Sequence, residues 1–324
     1  MVKEIVRYCE ALGIRIIPEF DNPGHSRAIG NDPKFEDITL CFQKDGPSTV
    51  PGAYTVKGGP PSAVLDPSNN KTYDLIRGII EDLNTTFPDS YIHLGGDEVR
   101  DSCFALSPTM DQFKKDHSFV NNSEVIAWHM NETRNIIREV NPQKIGVYWC
   151  NEDTLDQKYQ DGDMLVYWGA AENIALMKQT YPNKTYVIAA GDYYYMDCGF
   201  GNKYGSKAWC DPFKTFWTIY QFEPSHYLND TSMLGTEIAT WSELNGDENI
   251  HIKTWPRGAA LADKIWGPLV ETDLIKIVER QVMFATYLNN RGIPTSPVTG
   301  RYCEAFAEHC FEKVPAASSP SLKI

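Results

Sequence analysis

Two hydrophobic periods alternate along most of this chain of 324 residues, and the alternation limits the folds that the chain can adopt. Short apolar runs, typical of buried strands, are followed by longer segments in which apolar residues recur at helical spacing. The runs that predict strands are residues 14–20, 91–94, 146–149, 164–168, 185–190 and 234–241. About six strand–helix units in this order predict a parallel sheet with helices packed on it.

An α/β architecture of the TIM-type (β/α)8 barrel agrees best with this pattern, with strands three to eight present and the first two missing. The predicted helices are residues 2–12, 73–87, 125–140, 171–181, 255–266 and 273–288. A long aromatic loop is expected at residues 191–217. Residues 1–314 are predicted to form one partial barrel domain, and the Ala-, Ser- and Pro-rich residues 315–324 a disordered tail.

Composition argues against several classes of partner. The formal net charge of −13 disfavours nucleic acid and anionic membranes, because both attract basic surfaces. No apolar stretch approaches the ~20 residues that span a bilayer. Sequons for N-glycosylation occur at Asn70, Asn84, Asn121, Asn131, Asn183 and Asn229. So many sequons together indicate passage through the secretory pathway, with a signal peptide expected upstream of this sequence.

The 8 cysteines agree with an oxidising compartment. Three pairs are candidate disulfides, namely Cys41 with Cys103, Cys198 with Cys210, and Cys303 with Cys310. Cys9, in a predicted helix, and Cys150, at a strand end, are expected to stay free. Spacing does not prove connectivity, and a zinc site is the competing interpretation, although the sequence contains no Cys-x-x-Cys pair to support it.

The strongest functional signal lies at residues 93–98, which read His-Leu-Gly-Gly-Asp-Glu. Gly95 and Gly96 allow the backbone to turn sharply at the end of a predicted buried strand. Asp97 and Glu98 then follow the carboxyl end of that strand, where barrel and open α/β enzymes hold their reactive groups. A free Asp-Glu pair on a loop is usually only solvated. A pair delivered by a buried strand predicts two carboxyl groups with separate roles, one acid and one anion.

Polar or aromatic residues end nearly every predicted strand. They are Asp21 and His25, Asp97 and Glu98, Trp149, Trp168, Trp241 with Glu243, and Tyr193, Tyr194 and Tyr195 with Asp197. Taken singly, each is more often a packing or structural residue than a ligand. If the strand ends converge, flat indole faces can stack on sugar rings while carboxylates accept hydrogen bonds from hydroxyls. The joint pattern therefore predicts a carbohydrate pocket.

Residues 93–98 resemble the signature of the family 20 glycoside hydrolases, the β-N-acetylhexosaminidases. The resemblance extends to residues 13–25, which resemble the family's third barrel strand and its exit turn. It also extends to Trp149, Trp168, Trp241-Ser242-Glu243, residues 195–201 and residues 255–266. It covers residues 1–310, with strands three to eight of the family barrel in order.

The resemblance implies removal of a terminal, non-reducing β-linked N-acetylhexosamine with retention of configuration. This family is an exception among retaining glycosidases, because the substrate's own acetamide replaces the enzyme nucleophile. An oxazolinium intermediate is therefore implied. By the same resemblance, Glu98 protonates the leaving oxygen and later activates water, while Asp97 stays ionised and holds the acetamide N–H. Tyr195 is implied to donate a hydrogen bond to the acetamide oxygen.

Further roles follow from the resemblance. Trp149, Trp168 and Trp241 enclose the sugar, Asp197 and Glu243 bind hydroxyls, and Asp21, His25 and His93 support the site. No metal or organic cofactor is implied. The expected partner is an oligosaccharide or glycoconjugate with a terminal β-N-acetylhexosamine, the expected location is lysosomal or extracellular, and a homodimer is possible.

The missing first two strands are a departure from the family pattern, and they include the strand that carries a sugar-binding arginine. A barrel without them has exposed edges, which favour misassociation. The chain alone is therefore expected to be less soluble or less active than a version extended at its N-terminus. Two other functions stay open: a sugar-binding protein without turnover, and a metal-assisted barrel hydrolase that uses His25, His93 and Asp97.

Overall fold

The computed structural model describes residues 1–42, 63–155, 157–201, 208–228, 231–266 and 273–300. These residues belong to two compact units. Unit 1 comprises Met1–Ile188 and Ser225–Gly235, and unit 2 comprises Ala189–Pro224 and Thr236–Ile324. The predicted tail 315–324, the candidate pair Cys303 and Cys310, and the sequon at Asn229 lie outside the described residues.

A parallel sheet of five strands forms the centre of unit 1, as the alternating pattern predicts. Two short strands, β1 (Thr39–Leu40) and β2 (Val64–Leu65), form a separate antiparallel pair. The parallel strands are β3 (Tyr91–His93), β4 (Ile145–Cys150), β5 (Met164–Tyr167), β6 (Thr185–Ile188) and β7 (Met233–Thr236), hydrogen-bonded in chain order. The described strands do not close into a barrel, so the barrel architecture stays a prediction.

The predicted strand at residues 14–20 is reduced to one bridge. Glu19 pairs in parallel with His93, and the Phe20 N–H donates to the His93 carbonyl at 2.9 Å. The His93 N–H in turn donates to the Pro18 carbonyl at 2.9 Å. Pro18 has no N–H, so the ladder loses a donor at this position. The segment nevertheless runs beside β3, which brings the residues after it to the carboxyl end of the sheet.

The helices of unit 1 end and begin at recognisable signals. They are α1 (Val2–Ala11), α2 (Arg27–Gly30), α3 (Asn70–Thr86), α4 (Met110–His117), α5 (Asn122–Val140) and α6 (Ile174–Thr180). Asn69 caps α3, and Asn121 with Glu124 forms a capping box at the start of α5. Helices α3 and α5 pack against each other. The short helices α2 and α4 were not predicted from the sequence.

Unit 2 is mainly helical. Its helices are α7 (Gly191–Tyr194), α8 (Phe216–Gln221), α9 (Ile250–Thr254), α10 (Arg257–Trp266) and α11 (Leu274–Asn289). Helix α8 packs against α10. Phe216, Tyr220, Ala260 and Ile277 form the buried apolar cluster of this unit. The predicted loop 191–217 therefore begins with a helical turn and ends inside α8.

Two of the candidate disulfides are present. Cys41 is bonded to Cys103 in unit 1, and Cys198 is bonded to Cys210 in unit 2. Cys9 and Cys150 are free, as predicted. Within the described part of the chain, every helix is too short or too polar to cross a bilayer.

Candidate active site

The turn after β3 requires its two glycines. Gly95 and Gly96 have φ angles of 65° and 92°, in the left-handed region that favours glycine. A Cβ atom on Gly95 would lie 1.7 Å from the Asp21 Oδ1 atom. The Gly96 N–H donates to that same oxygen at 3.1 Å. The glycines thus allow the strand end to lie directly against Asp21, which comes from a segment 75 residues away in the chain.

Two non-glycine residues at this edge also adopt left-handed backbone conformations. The φ angle is 50° at His25 and 46° at Glu98. Between the two backbones lies Gly24, where an added Cβ would approach the Asp97 carbonyl to 3.0 Å. Such conformations cost free energy and persist where the surrounding structure enforces them, often at functional sites. The strain therefore supports a functional role for the turn that carries His25 and for the one that carries Glu98.

Asp21, His25, Asp97 and Glu98 form what we call the carboxylate–imidazole cluster. His25 lies at its centre. Its Nδ1 atom is 2.5 Å from Asp21 Oδ2 and 3.9 Å from Asp97 Oδ1, and its Nε2 atom is 3.2 Å from Glu98 Oε2. Sequence reasoning placed His25 in support without specifying its contacts. The structure makes it the bridge between Asp21 and the predicted acid, Glu98.

The electrostatics of the cluster favour a cationic imidazole. Hydrogen bonds to Asp21 and then to Glu98 raise the pKa of His25 to about 11. Below that pH both ring nitrogens carry protons, so His25 donates to Asp21 and has a second donor for the ionised form of Glu98. Burial raises the pKa of Asp97 well above its usual range, and the nearby Asp21 charge acts in the same direction. Both effects oppose ionisation of Asp97, which is the state that the family resemblance implies for it.

Three members of the cluster could also act as metal ligands. One ligand atom from each of Asp21, His25 and Asp97 lies within 4.8 Å of the others. A metal would need the Nδ1 atom of His25 without its proton, whereas the contact of 2.5 Å to Asp21 indicates that a proton is held there. His93, which the metal-assisted alternative also invoked, is not in this group.

Trp149 lies at the end of β4 and has a partner that sequence reasoning did not name. Its Nε1–H donates to Glu19 Oε1 at 2.8 Å. Burial raises the pKa of Glu19 to about 7. Glu19 lies near the end of the predicted strand 14–20. The other candidate carboxylates follow strand ends, so this position was the sequence signal that could have identified Glu19. Glu19 thus fixes the indole of a predicted pocket wall.

His93 is a neutral structural residue. Burial lowers the pKa of His93 to about 3. Its Nδ1 accepts a hydrogen bond from the Gly95 N–H at 3.1 Å, and its ring centre lies 4.6 Å from that of Trp149. These contacts agree with the predicted supporting role. Trp168 follows β5 and is half-buried, and its backbone N–H donates to the Cys150 carbonyl at 3.1 Å. Trp149 and Trp168 therefore lie at the carboxyl ends of two neighbouring strands, β4 and β5.

Unit 2 holds the remaining candidates in a buried loop and an exposed one. Tyr195 and Asp197 are buried, with 4 % and 2 % of their surfaces exposed. Tyr195 pairs with Ala239 through a parallel bridge. Burial raises the pKa of Asp197, and its Oδ1 atom has no hydrogen-bond partner among the described residues. Trp241 and Glu243, by contrast, are exposed within this unit.

Three buried cations hold the loop that carries Tyr195 and Asp197. We call Lys214, Lys253 and Arg257 the buried cation cluster. Arg257 donates to the backbone carbonyls of Lys253, Lys214 and Met196, and Lys253 donates to the carbonyls of Asp197 and Leu244. Burial lowers the pKa of Arg257 to about 9. Because these donors bind main-chain oxygens, they fix the path of the loop, and the charge of Lys253 also acts to lower the pKa of Asp197.

Residues 1–269 match the family model for the catalytic domain of glycosyl hydrolase family 20. The chain belongs to this family. The resemblance drawn from residues 93–98 is thereby confirmed. Similar proteins include a probable beta-hexosaminidase of Arthroderma benhamiae, 27% identical over 95% of this chain and 55% of the relative. Beta-hexosaminidase subunit beta of Rattus norvegicus is 28% identical over 92% of this chain and 52% of the relative.

Solved structures of family 20 proteins share the fold. The exo beta-N-acetylglucosaminidase of Vibrio harveyi, solved in complex with N-acetylglucosamine, superposes with a TM-score of 0.75 at 19% identity. The match covers 92% of this chain and 46% of that one. A Streptomyces plicatus hexosaminidase in complex with the product GlcNAc gives a TM-score of 0.65 at 20% identity, over 92% of this chain and 56% of that one. The chain spans about half the length of the curated relatives it matches.

Proposed function

We propose that this chain is a retaining exo-glycosidase that removes terminal, non-reducing β-linked N-acetylhexosamine, GlcNAc or GalNAc. The observation that carries the proposal is the carboxylate–imidazole cluster, in which the adjacent Asp97 and Glu98 meet His25 at one edge of the parallel sheet. Retaining enzymes with an enzyme nucleophile place two carboxyl groups on opposite sides of the glycosidic bond. Neighbouring residues on one turn are poorly suited to that arrangement. A nucleophile supplied by the substrate suits them better.

In the first step, the oxygen of the 2-acetamido group attacks the anomeric carbon while the bond to the leaving oxygen breaks. Glu98 gives its proton to that oxygen, and an oxazolinium ring forms on the sugar. In the second step, water attacks the same carbon and gives its proton to Glu98, and the ring opens to restore the acetamide. Two displacements at one carbon retain its configuration. Glu98 ends each cycle with the proton it began with.

Asp97 is proposed to accept a hydrogen bond from the acetamide N–H and to face the positive charge of the intermediate. Because burial raises the pKa of Asp97, its ionisation depends on the groups that the substrate places beside it. A hydrogen-bond donor and a developing cation both favour the carboxylate. The interaction is therefore weak before the reaction and strong during it, which is the condition for lowering a barrier.

His25 is proposed to stabilise Glu98 after proton transfer. Its Nε2 atom lies 3.2 Å from Glu98 Oε2, within hydrogen-bond reach, so a charged imidazole can donate to the Glu98 carboxylate once it forms. Asp21 keeps the imidazole charged and oriented through the Nδ1 contact of 2.5 Å. The cluster thus stabilises the conjugate base of the catalytic acid.

The remaining roles rest on family membership. We propose that Tyr195 donates to the acetamide oxygen, that Trp149, Trp168 and Trp241 enclose the sugar, and that Asp197 and Glu243 bind hydroxyls. The buried Oδ1 atom of Asp197, which lacks a partner in the described part of unit 2, supports a role in ligand binding. A buried acceptor without a partner is costly in an empty protein and gains a hydrogen bond when a hydroxyl arrives.

We also propose that the protein resides in the lysosome or outside the cell. The two disulfides support passage through an oxidising compartment. Among the sequons, Asn70, Asn121 and Asn183 are exposed, whereas Asn84 and Asn131 are half-buried and hydrogen-bonded to other side chains. The exposed positions are therefore the better glycosylation candidates. A homodimer stays a prediction.

Hydrolysis of an aryl β-N-acetylglucosaminide and of the matching aryl β-glucoside, which lacks the acetamide, tests the function. We expect the chain to cleave the first at mildly acidic pH and to leave the second intact. Glu98→Gln should reduce the rate by about 10²- to 10⁴-fold, as expected for loss of an acid–base catalyst. Glu139→Gln, an exposed change in the same unit, is the matched control. Equal cleavage of both glycosides would contradict the proposal.

A binding function without turnover is the second candidate. Saturable binding of N-acetylglucosamine by folded protein that releases no aryl product would support it. It would also agree with the expectation that an N-terminally extended version is more active.

A further inference from the structure

Asn22 lies between the two chain segments that carry the carboxylate–imidazole cluster, and it is fully buried. Its side-chain Nδ2 donates to the Phe20 carbonyl at 2.9 Å and to the Leu94 carbonyl at 3.2 Å. Its backbone N–H also donates to the Leu94 carbonyl at 3.2 Å. One of these carbonyls precedes Asp21, and the other precedes the Gly95-Gly96 turn. A single amide therefore ties both strand ends together.

The orientation of this amide determines the tautomer of His129. Two carbonyl oxygens face the Nδ2 atom, so that position must be the NH₂ group and Oδ1 must face the other way. His129 Nε2 lies 2.8 Å from Oδ1 and must therefore carry the proton. His129, on α5, is fully buried, and burial lowers the pKa of His129 to about 3. The ring is thus neutral, and Nε2–H is its one donor.

Tyr73, on α3, completes the arrangement. Its hydroxyl donates to the Pro67 carbonyl at 3.0 Å and lies 3.1 Å from His129 Nδ1, an acceptor in this tautomer, so its single proton is shared between two acceptors. The hydroxyl therefore fixes the ring in the orientation that points Nε2–H at Asn22. None of these three residues contacts the carboxylate groups in the contacts described above.

We propose that Asn22, His129 and Tyr73 form a clamp that positions the reactive turns. The clamp holds the Asp21–His25 turn and the Asp97–Glu98 turn at a fixed separation, from the side of the helices. Its members are positioning residues, since they act through the backbone of both turns. The proposal rests on the proposed function for its kinetic consequence. Its structural readout is the Asp21–His25 contact, which depends on the separation of the turns because Asp21 Oδ1 also accepts the Gly96 N–H of the other turn at 3.1 Å.

A purely structural role for His129 is the competing explanation, and kinetics can separate the two. His129→Leu keeps a side chain of similar size and removes the donor. His129→Gln retains an N–H that can reach Asn22 Oδ1. Displacement of reactive groups by a fraction of an ångström lowers turnover without abolishing binding, so we expect His129→Leu to lose roughly 10- to 100-fold in kcat with KM nearly unchanged. His129→Gln should recover most of that loss.

Ile80→Ala is the control for destabilisation alone. Ile80 is fully buried in α3 and lies outside the clamp, so this change weakens the fold without removing a polar contact. Measured well below its unfolding temperature, Ile80→Ala should keep the wild-type kcat. If His129→Leu does not fold, Tyr73→Phe takes its place, with a severalfold loss of kcat expected because one hydroxyl is removed.

A second measurement does not depend on hydrolysis. The Nδ1 proton of His25, held against Asp21, should give a strongly downfield resonance in a proton NMR spectrum. We expect this resonance in the wild type, in His129→Gln and in Ile80→Ala, and its loss or upfield shift in His129→Leu or Tyr73→Phe. A wild type that shows the resonance but hydrolyses nothing would refute the proposed function and leave the clamp standing. Unchanged kcat and an unchanged resonance in the clamp variants would overturn the clamp.

Discussion

The carboxylate–imidazole cluster of unit 1 and the buried cation cluster of unit 2 both contain several charged groups. The two clusters differ in what those groups contact. In unit 1, His25 contacts the side-chain carboxylates of Asp21 and Glu98. In unit 2, Arg257 and Lys253 donate almost entirely to main-chain carbonyls. The first arrangement couples groups that can exchange protons. The second holds a backbone in place through donors that bind main-chain oxygens.

The contrast separates chemistry from scaffolding. A group that gains or loses a proton during a reaction needs partners whose own charge can shift its pKa. In this protein those partners are titratable side chains. The buried loop with Tyr195 and Asp197 needs donors for its carbonyls, and a buried cation supplies several from one residue. Substitutions in the first cluster should therefore alter pH dependence and rate. Substitutions in the second should alter stability.

Arg257→Met is expected to have the largest effect. The change leaves three buried carbonyls without their donor, since Arg257 binds those of Lys253, Lys214 and Met196. We expect a loss of about 3–5 kcal/mol in the free energy of unfolding, because each buried carbonyl left without a donor costs about 1–3 kcal/mol. Denaturant unfolding measures it. Arg280→Met, which removes a partly exposed pair with Asp263, should cost about 0–1 kcal/mol. Equal losses for the two variants would contradict the scaffolding role of Arg257.

Glu19→Gln should change the pH dependence of stability. The pKa of Glu19 is raised from 4.5 to about 7 in the folded state, so the native protein binds the proton more tightly than the unfolded chain does. Stability therefore falls as pH rises from about 4.5 to about 7, by up to about 3 kcal/mol. The glutamine cannot ionise but still offers an oxygen to the Trp149 N–H. The difference in unfolding free energy between variant and wild type should grow across that pH range. A constant difference would refute the burial argument.

Asp21→Asn tests the chemistry of the unit 1 cluster. The amide cannot hold the His25 proton as a carboxylate does, so the imidazole loses its charge at lower pH and stabilises Glu98 less. We expect kcat to fall by about 10²-fold, or about 2.7 kcal/mol of transition-state stabilisation. Steady-state kinetics on the aryl glycoside measure it. Asp37→Asn, in an exposed pair with Lys71, should leave kcat unchanged. A comparable loss in both variants would indicate a general loss of structure.

The sequence predicted the parallel sheet because each strand from residue 91 onward is marked by a local apolar run. The strand at 14–20 was predicted too strongly, since its apolar run is interrupted by Pro18. The candidates at strand ends were found for the same local reason, because Asp21, Asp97 and Glu98 each follow an apolar run. Closure into a barrel stays a prediction.

Contacts between distant segments could not be predicted from the sequence. His129 and Asn22 are 107 residues apart, and nothing in either neighbourhood indicates that they meet. Glu19 was overlooked because its partner, Trp149, lies 130 residues away. The bridging position of His25 depends on a left-handed backbone conformation. The sequence around His25 does not predict that conformation. Sequence patterns thus gave the candidate reactive residues, and the structure shows the contacts that hold them.

Binding of a non-hydrolysable bicyclic analogue of the oxazolinium intermediate tests the central claim most directly. The analogue carries the fused ring that forms only if the substrate's acetamide is the nucleophile. We predict that wild-type protein and Glu98→Gln bind it at least about 10²-fold more tightly than N-acetylglucosamine, as expected for an analogue of a reaction intermediate. Asp97→Asn should lose that preference. An analogue that binds no more tightly than N-acetylglucosamine, or equally well to Asp97→Asn, would contradict the account.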